Sequence, residues 1–486
     1  MGVLLVFNGG FMLIPAIYSW LSQESVAFSI AVSAIISIFI GLLAMFFTKN
    51  HDKDISQREG YLIVTLGWLF MVLSGMLPYA LSGEIKGIEN IFFETMSGYT
   101  TTGASIINDI EALPEGILLW RSLTHWIGGM GIIVLAVAIL PLFGIGGMQL
   151  FSAESPGPSA DKVKPKIADT AKRLWLIYFG YTLSETILLK VAGMTWFDAC
   201  NHALSTLSTG GFSTKNANLA YWNDNPSIQY IVIFFMFLAG TNFVVSYYAF
   251  KGKMANVLHN EEFKWYFLFI IGATAITSLS IYYFSDPSLA SIEYPMVFGE
   301  AESAIRHGLF QVLAIITTTG FVSADYTLWT PLLTVLFFGL FFLGGSAGST
   351  SGGIKVIRHL IMIKNGFQEF RRILHPNAIL PVRYKGSSVD QKIVYNILGF
   401  FILYSLSFII GAAVFAGTGL DFETALGASA SSLGNVGPAF GELSPVDNYV
   451  SLSVFGKFWS SFLMLLGRLE LFTVLILFTP YFWKNT

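Results

Sequence analysis

The sequence contains little charge and almost no cysteine. Charged residues make up 12% of its 486 residues and hydrophobic residues 54%, whereas a soluble domain carries about 25% charged residues. The single cysteine, Cys200, excludes an internal disulfide and a thiolate metal cage. Neither GxxxxGKS/T nor HExxH occurs, so ATP hydrolysis and zinc-protease chemistry have no support. The formal net charge of −3 does not indicate a nucleic-acid partner.

Long apolar runs are abundant instead. The mean hydropathy is +0.64, and several runs reach the roughly 20 residues that cross a membrane as a helix. The start of the chain lacks the basic segment and cleavage site of a removed signal peptide, so we expect it to form the first span. The sequence therefore predicts an all-α membrane protein with multiple spans. The runs are 26–47, 61–80, 174–193, 227–250, 265–285, 330–343 and 394–416.

Lysine and arginine cluster in five segments. Cytoplasmic loops of membrane proteins retain these residues, whereas the connections between the five segments are rich in aspartate and glutamate. We therefore expect both termini to face the cytoplasm and the outer face to be acidic, which would concentrate cations there. The basic segments are 49–58, 162–173, 251–264, 355–392 and Lys484.

Four short stretches resemble one another and recur at similar spacing. They are ETMSGYTTTGAS (94–105), ALSTLSTGGFST (203–214), AIITTTGFVS (314–323) and SASSLGNVGPAF (429–440). Each follows a stretch too short to cross the membrane, so we expect a short helix that enters the membrane and returns as a loop. Internal repetition at this scale indicates stacked or symmetric units. The glycines to align are Gly103, Gly210, Gly320 and Gly437.

The composition of these stretches favours a cation pathway. Glycine permits backbone angles that a Cβ forbids, and a loop of small residues can turn carbonyl oxygens inward to replace an ion's hydration shell. The negative dipole ends of the preceding helices would favour a cation there. Alternatively, such strings are ordinary helix kinks or small-residue packing positions. Four copies at matching positions favour the pathway.

With these stretches the chain resembles the Trk/Ktr/HKT superfamily of potassium transporters, and most closely its Trk-type membrane subunits. The resemblance covers essentially the whole chain. It also rests on HWIGGMGIIVL (125–135), SAESPGP (152–158), GGSAGSTSGGIKVIR (344–358) and LLGRLELFT (465–473).

The resemblance implies two N-terminal helices followed by four units around a central ion pore. Each unit would be a helix, a pore loop and a second helix. It further implies a homodimer, a cytoplasmic ring of regulatory subunits that bind a nucleotide of the NAD or ATP type, and the bacterial inner membrane. Potassium would be the substrate, with no cofactor bound by this chain. The implied parts are residues 1–50, 51–150, 151–258, 259–365 and 366–486.

The resemblance also implies a potassium filter formed by all four loops. Glycine at all four aligned positions accompanies potassium preference in the superfamily. The fourth loop departs from the pattern because asparagine and valine replace hydroxylated residues, so the ring cannot be fourfold symmetric. The implied ion-binding residues are Thr101, Thr102 and Gly103; Ser208, Thr209 and Gly210; Thr318, Thr319 and Gly320; and Asn435, Val436 and Gly437.

Two further features are candidate gates. GGSAGSTSGG (344–353) interrupts a span, and each glycine costs a helix about 1 kcal/mol. It is either a flexible turn or, as the resemblance implies, an unwound loop that blocks the pore and moves aside. Arg468 lies within the last span, where a charge is expensive; it either pairs with an acid on a neighbouring helix or projects into the pore. The candidates are Gly344, Gly345, Ser346, Gly348, Ser349, Gly352, Gly353 and Arg468.

A potassium-translocating pore subunit without catalytic residues is therefore the favoured function. The alternative is an ion-coupled secondary transporter of another cation or small solute. Such transporters typically contain inverted repeats, whereas the four repeats here run in one orientation. A membrane enzyme is disfavoured because no convergent His, Asp, Glu or Ser group occurs on the spans. Passive conduction and coupling to protons or sodium both stay open.

Overall fold

Helices dominate the protein, whose structure is a computed structural model. It describes residues 1–48, 56–129, 131, 167–285, 291–292, 295–378 and 380–484. In these ranges, five helices are long and apolar enough to cross a membrane, or up to seven if each bent pair counts as one span. The strands found there are β1 (Arg383–Tyr384) and β2 (Ser387–Ser388), which pair antiparallel. The predicted all-α membrane protein with multiple spans is confirmed.

The described helices, in chain order, are α1 (Gly2–Leu21), α2 (Ala27–Phe47), α3 (Gln57–Gly75), α4 (Leu77–Ser82), α5 (Ile88–Tyr99), α6 (Glu115–Gly129), α7 (Ile167–Val191), α8 (Trp196–Leu207), α9 (Pro226–Ala239), α10 (Phe243–Phe250), α11 (Met254–Leu258), α12 (Glu261–Phe284), α13 (Glu300–Ile316), α14 (Pro331–Leu340), α15 (Val356–Leu374), α16 (Gln391–Gly417), α17 (Phe422–Gly434), α18 (Val454–Arg468), α19 (Phe472–Leu475) and α20 (Pro480–Trp483). Short 3-10 turns occur at Asn218–Trp222, Tyr326–Leu328, Gly441–Leu443, Tyr449–Ser451 and Ile476–Phe478.

Helices α1 and α2 pack closely against each other. A Cβ added to Gly41 would lie within 3.0 Å of the Gly2 carbonyl oxygen. Small residues at such crossings let helix backbones approach closely in membranes. The pair lies in the range 1–50, where two N-terminal helices are expected.

Helices α5, α8, α13 and α17 are too short to cross a membrane. They contain 12, 12, 17 and 13 residues, so at 1.5 Å per residue they are about 18 to 26 Å long. The hydrocarbon core is about 30 Å thick. Two of them begin with side-chain caps, because Thr195 accepts from the Asp198 N–H and Asp421 from the Thr424 N–H. Hydrogen bonds from Thr424 also lower the pKa of the exposed Asp421 carboxyl.

Three of the helices that follow the short ones are interrupted. The axis bends by 108° between α9 and α10, where Asn242 starts the new helix by accepting from the Val244 N–H. A bend of 112° follows α18. Between α14 and α15 the chain is not helical. Each interruption leaves non-helical backbone close to the short helices.

Part of the expected organisation lies outside the described residues. This applies to the boundaries at 50/51 and 150/151, to the SAESPGP segment (152–158) and to residues 162–166 of the basic segment 162–173. The division into four units stays a prediction.

Candidate ion pathway

Four non-helical segments begin directly after α5, α8, α13 and α17. At the start of each, one residue other than glycine has a left-handed backbone, with φ between 54° and 56°. This conformation is uncommon for residues with a Cβ. The four segments therefore share the same turn at this point. The left-handed residues are Thr101, Thr209, Thr318 and Asn435.

Two residues later, each segment has a glycine with φ between 68° and 103°. A Cβ added to any of these glycines would lie within 3.0 Å of a carbonyl oxygen of the next segment, so only glycine fits. The contacts run from the first segment to the second, third and fourth and back to the first, which closes a ring. The ring glycines and the residues whose carbonyls they meet are Gly103 with Gly210, Gly211 with Thr319, Gly320 with Val436, and Gly437 with Thr102.

The ring corrects the predicted alignment of the second segment. Gly211, and not Gly210, has the positive φ and the carbonyl contact that the other ring glycines have. The predicted set Ser208, Thr209 and Gly210 is therefore displaced by one residue from the equivalent set, Thr209 to Gly211. Two consecutive glycines are equally permissive, so only contacts with neighbouring segments decide between them. In the other segments the predicted residues share one register: Thr101, Thr102 and Gly103; Thr318, Thr319 and Gly320; Asn435, Val436 and Gly437.

All four ring glycines line one open cavity. Charged side chains complete its wall, among them Arg121, Lys215 and Asp447. The Tyr449 hydroxyl holds one side of this wall by donating to the Gly437 carbonyl at 2.7 Å. The cavity thus leads from polar loops to the ring of glycines and carbonyls.

The glycine-rich segment 344–353 lies against the ends of two short helices. The Gly352 N–H donates to Thr318 Oγ1 (2.7 Å), and Thr350 Oγ1 donates to the Leu207 carbonyl (3.0 Å). The expected interruption of a span is therefore present, and it touches the third segment directly. Its role as a gate stays a prediction.

Arg468, the last residue of α18, reaches both the glycine-rich segment and α6. Its guanidinium donates to the carbonyl oxygens of Thr350 (2.8 Å) and Gly128 (2.5 Å). Glu470, the acid nearest in sequence, pairs with Arg358. One partly buried cation therefore connects the end of α18, the end of α6 and the glycine-rich segment.

Comparison with known proteins identifies the family. The family model of TrkH, described as a cation transport protein, matches residues 27–484. The chain belongs to this family. Its resemblance to Trk-type membrane subunits is thereby confirmed.

Several relatives match over nearly their full length. The Trk system potassium uptake protein TrkH of Escherichia coli (strain K12) is 36% identical over 100% of this chain and 98% of its own. TrkH of Halomonas elongata is 38% identical over the same shares. TrkG of Escherichia coli (strain K12) is 33% identical over 98% of this chain and 95% of its own.

A solved structure has the same fold. The crystal structure of the potassium transporter TrkH from Vibrio parahaemolyticus superposes with a TM-score of 0.86 at 34% identity. The match covers 99% of this chain and 98% of that one.

In this TrkH-family chain, Glu94 and Arg121 form a buried ion pair that is not among the predicted site residues. Arg121 Nε lies 2.6 Å from Glu94 Oε1. Glu94 also accepts from the Ile106 N–H (3.0 Å), and Arg121 donates to the Ser213 carbonyl (3.0 Å). The pair thus ties the chain after the first ring glycine to the chain after the second. The rule that singled out Arg468, a charge within an apolar helix, would also have found Arg121.

The equivalent positions of α8 and α13 also carry buried polar side chains. Glu94, His202 and Gln311 each lie seven residues before the left-handed residue of their segment. His202 Nε2 lies 2.9 Å from Ser213 Oγ, and the Gln311 amide lies 3.3 Å from Ser323 Oγ. Each side chain braces the chain that follows its ring glycine. This spacing becomes visible once the left-handed residues are aligned.

Proposed function

We propose that this protein is the membrane subunit of a Trk system and takes up potassium through a pore in the bacterial inner membrane. The observation that carries the proposal is the closed ring of four glycines and four neighbouring carbonyls. The ion is inferred from the relatives, which are potassium uptake proteins. Potassium is the transported substrate here, and the chain itself carries out no covalent chemistry.

The ring and the short helices suit a dehydrated cation. Four helices end at the segments, so the negative ends of their dipoles lie beside the ring. Carbonyl oxygens can replace the water shell of an ion passing between the segments. In this proposal the ring glycines let neighbouring segments approach closely enough to hold those oxygens in place. The proposed filter comprises three consecutive residues of each segment, the last of which is the ring glycine. These residues are Thr101 to Gly103, Thr209 to Gly211, Thr318 to Gly320, and Asn435 to Gly437.

The glycine-rich segment 344–353 is the proposed gate, and Arg468 is proposed to hold it in the closed position. The segment packs under the second and third short helices through Thr350 and Gly352. Arg468 holds the Thr350 carbonyl. Movement of the segment away from the short helices would open the pathway, and the positive charge of Arg468 would oppose cations while the segment is in place.

We further propose the partners that the family resemblance implies. The chain would form a homodimer and bind a cytoplasmic ring of nucleotide-binding regulatory subunits, with both termini in the cytoplasm. Helix α15 and the basic stretch 355–392 would contact this ring of regulatory subunits, because the exposed Arg371 lies beside the exposed apolar residues Phe370 and Leu374.

The test is the uptake ratio of potassium to sodium in vesicles containing the purified chain. We expect Gly103→Ser to lower this ratio, because a side chain at Gly103 collides with the Gly210 carbonyl. Gly180→Ser is the matched control, because a Cβ at Gly180 meets no atom within 4 Å. An unchanged ratio for folded Gly103→Ser, or sodium uptake equal to potassium uptake in the parent, would contradict the proposal.

A further inference from the structure

The residue before each ring glycine differs among the four segments. It is threonine in the first and third segments, valine in the fourth and glycine in the second: Thr102, Thr319, Val436 and Gly210. Gly210 is not among the residues with positive φ. The backbone of the ring therefore does not require glycine at this position, and another cause must account for it.

The imidazole of His125 takes the space in which Gly210 would carry a side chain. A Cβ added to Gly210 would lie within 3.0 Å of Nδ1, Cγ and Cε1 of His125. In the first segment the equivalent side chain is accommodated, and its hydroxyl lies 2.8 Å from that of Thr100. In the third, the Thr319 hydroxyl lies 2.8 Å from that of Thr317. An imidazole from α6 thus replaces a threonine of the segment itself.

Contacts from α6 hold the second segment on both sides of its ring glycine. The His125 ring is buried and stacks on Phe212, with centroids 3.9 Å apart and planes 13° apart. Arg121, one turn earlier, places its guanidinium carbon 3.5 Å from the centroid of the same Phe212 ring. Because Phe212 directly follows Gly211, α6 fixes the residues immediately before and after this ring glycine.

The Gly210 carbonyl is also the oxygen against which Gly103 packs. A displacement of Gly210 would therefore open the ring between the first and second segments. We infer that His125 is a positioning residue for the second segment, and that Gly210 is glycine in order to admit its imidazole. The effect on ion selectivity rests on the proposed function, whereas the packing does not.

The experiment is a double-mutant cycle in the full chain. Gly210→Thr copies the first and third segments but collides with His125. We expect the potassium-to-sodium uptake ratio to fall about tenfold, because overpacking forces backbone shifts in a well-packed site. His125→Ala combined with Gly210→Thr frees the space and should recover most of the ratio and of the melting temperature. His125→Ala alone should lower both, because a buried ring is lost.

A matched control removes another imidazole. His259 is exposed and directly follows α11. His259→Ala combined with Gly210→Thr should therefore recover neither the uptake ratio nor the melting temperature. Uptake ratios equal in Gly210→Thr and the parent, or a double variant no better than Gly210→Thr, would overturn the inference. If Gly210→Thr does not fold, Gly210→Ala takes its place in the same cycle.

The cycle also separates this inference from the proposed function. If the parent shows no selective potassium uptake, the proposed function fails, but the melting temperatures still report the packing. Additive changes in melting temperature would then overturn the role of His125. Recovery by the second substitution would support it.

Discussion

At the scale of single residues, Asn435 shows how the fourth segment keeps the turn of the others with a different side chain. Asparagine adopts left-handed backbone more readily than other residues with a Cβ, and Asn435 has φ 56° as the threonines do. Its amide donates to Thr102 Oγ1 (3.0 Å) and to the Met464 carbonyl (2.8 Å). The departure from threonine therefore preserves the backbone and ties the last segment to the first.

The buried ion pair of Arg121 and Glu94 gives a prediction at this scale. Arg121→Ala leaves the Glu94 carboxylate buried without its cation, which typically costs about 3–5 kcal/mol. We expect a clear fall in the melting temperature of the purified protein. Lys215→Ala is the control, because Lys215 pairs with the partly exposed Glu111 at 3.8 Å and such pairs contribute about 0–1 kcal/mol. Equal melting temperatures for both variants would show that the pair does not stabilise the fold.

Arg468 gives a second prediction for a single residue. If Arg468 holds the glycine-rich segment closed and faces the pore, Arg468→Ala should raise potassium flux per folded molecule. The substitution removes both the hydrogen bond to the Thr350 carbonyl and the positive charge. Arg468→Lys keeps the charge and separates the two effects. Flux and melting temperature are measured on the same preparations. A lower melting temperature without a gain in flux would mean that Arg468 only stabilises the fold.

At the scale of elements, the ends of the glycine-rich segment meet each other. The Gly344 N–H donates to the Ile354 carbonyl at 2.9 Å, and a Cβ added to Gly344 would lie within 3.0 Å of the Gly352 carbonyl oxygen. The segment is therefore a closed loop between α14 and α15. Its removal need not displace the helices that it joins.

Deletion of residues 345–351 tests the loop as a gate. Gly344 can then join Gly352 directly, and we expect a folded protein with higher potassium flux that does not depend on the proposed cytoplasmic partner. Replacement of the same residues by an equally long Gly/Ser sequence is the control for chain length. A folded deletion with lower flux would identify the segment as a structural turn.

At the scale of the whole molecule, the distribution of basic residues predicts its orientation in the membrane. The single cysteine makes this measurable: Cys200→Ser supplies a background in which one new cysteine is labelled at a time. Glu84 and Lys251 are both exposed and lie in connections predicted to face opposite sides. With a membrane-impermeant thiol reagent on intact cells, Glu84→Cys should react and Lys251→Cys should react only after permeabilisation. The reverse pattern would invert the predicted orientation.

Sequence patterns were enough to identify a helical membrane protein with four related loops and an interrupted span. These features are local, because lipid demands long apolar helices and allows unpaired backbone only in special places. The correct register of three of the four segments could therefore be predicted from their threonine, asparagine and glycine residues. The glycine-rich interruption was equally visible, since glycine opposes a helix wherever the chain folds.

The folded structure was needed to establish which of Gly210 and Gly211 belongs to the ring. It also decided that Arg468 binds backbone carbonyls, and that Glu94 and Arg121 pair. Each answer depends on contact between segments far apart in the chain, and the residues themselves are compatible with several partners. Gly210 and Gly211 have identical conformational freedom, and they differ only because a neighbouring carbonyl meets one and the His125 ring meets the other.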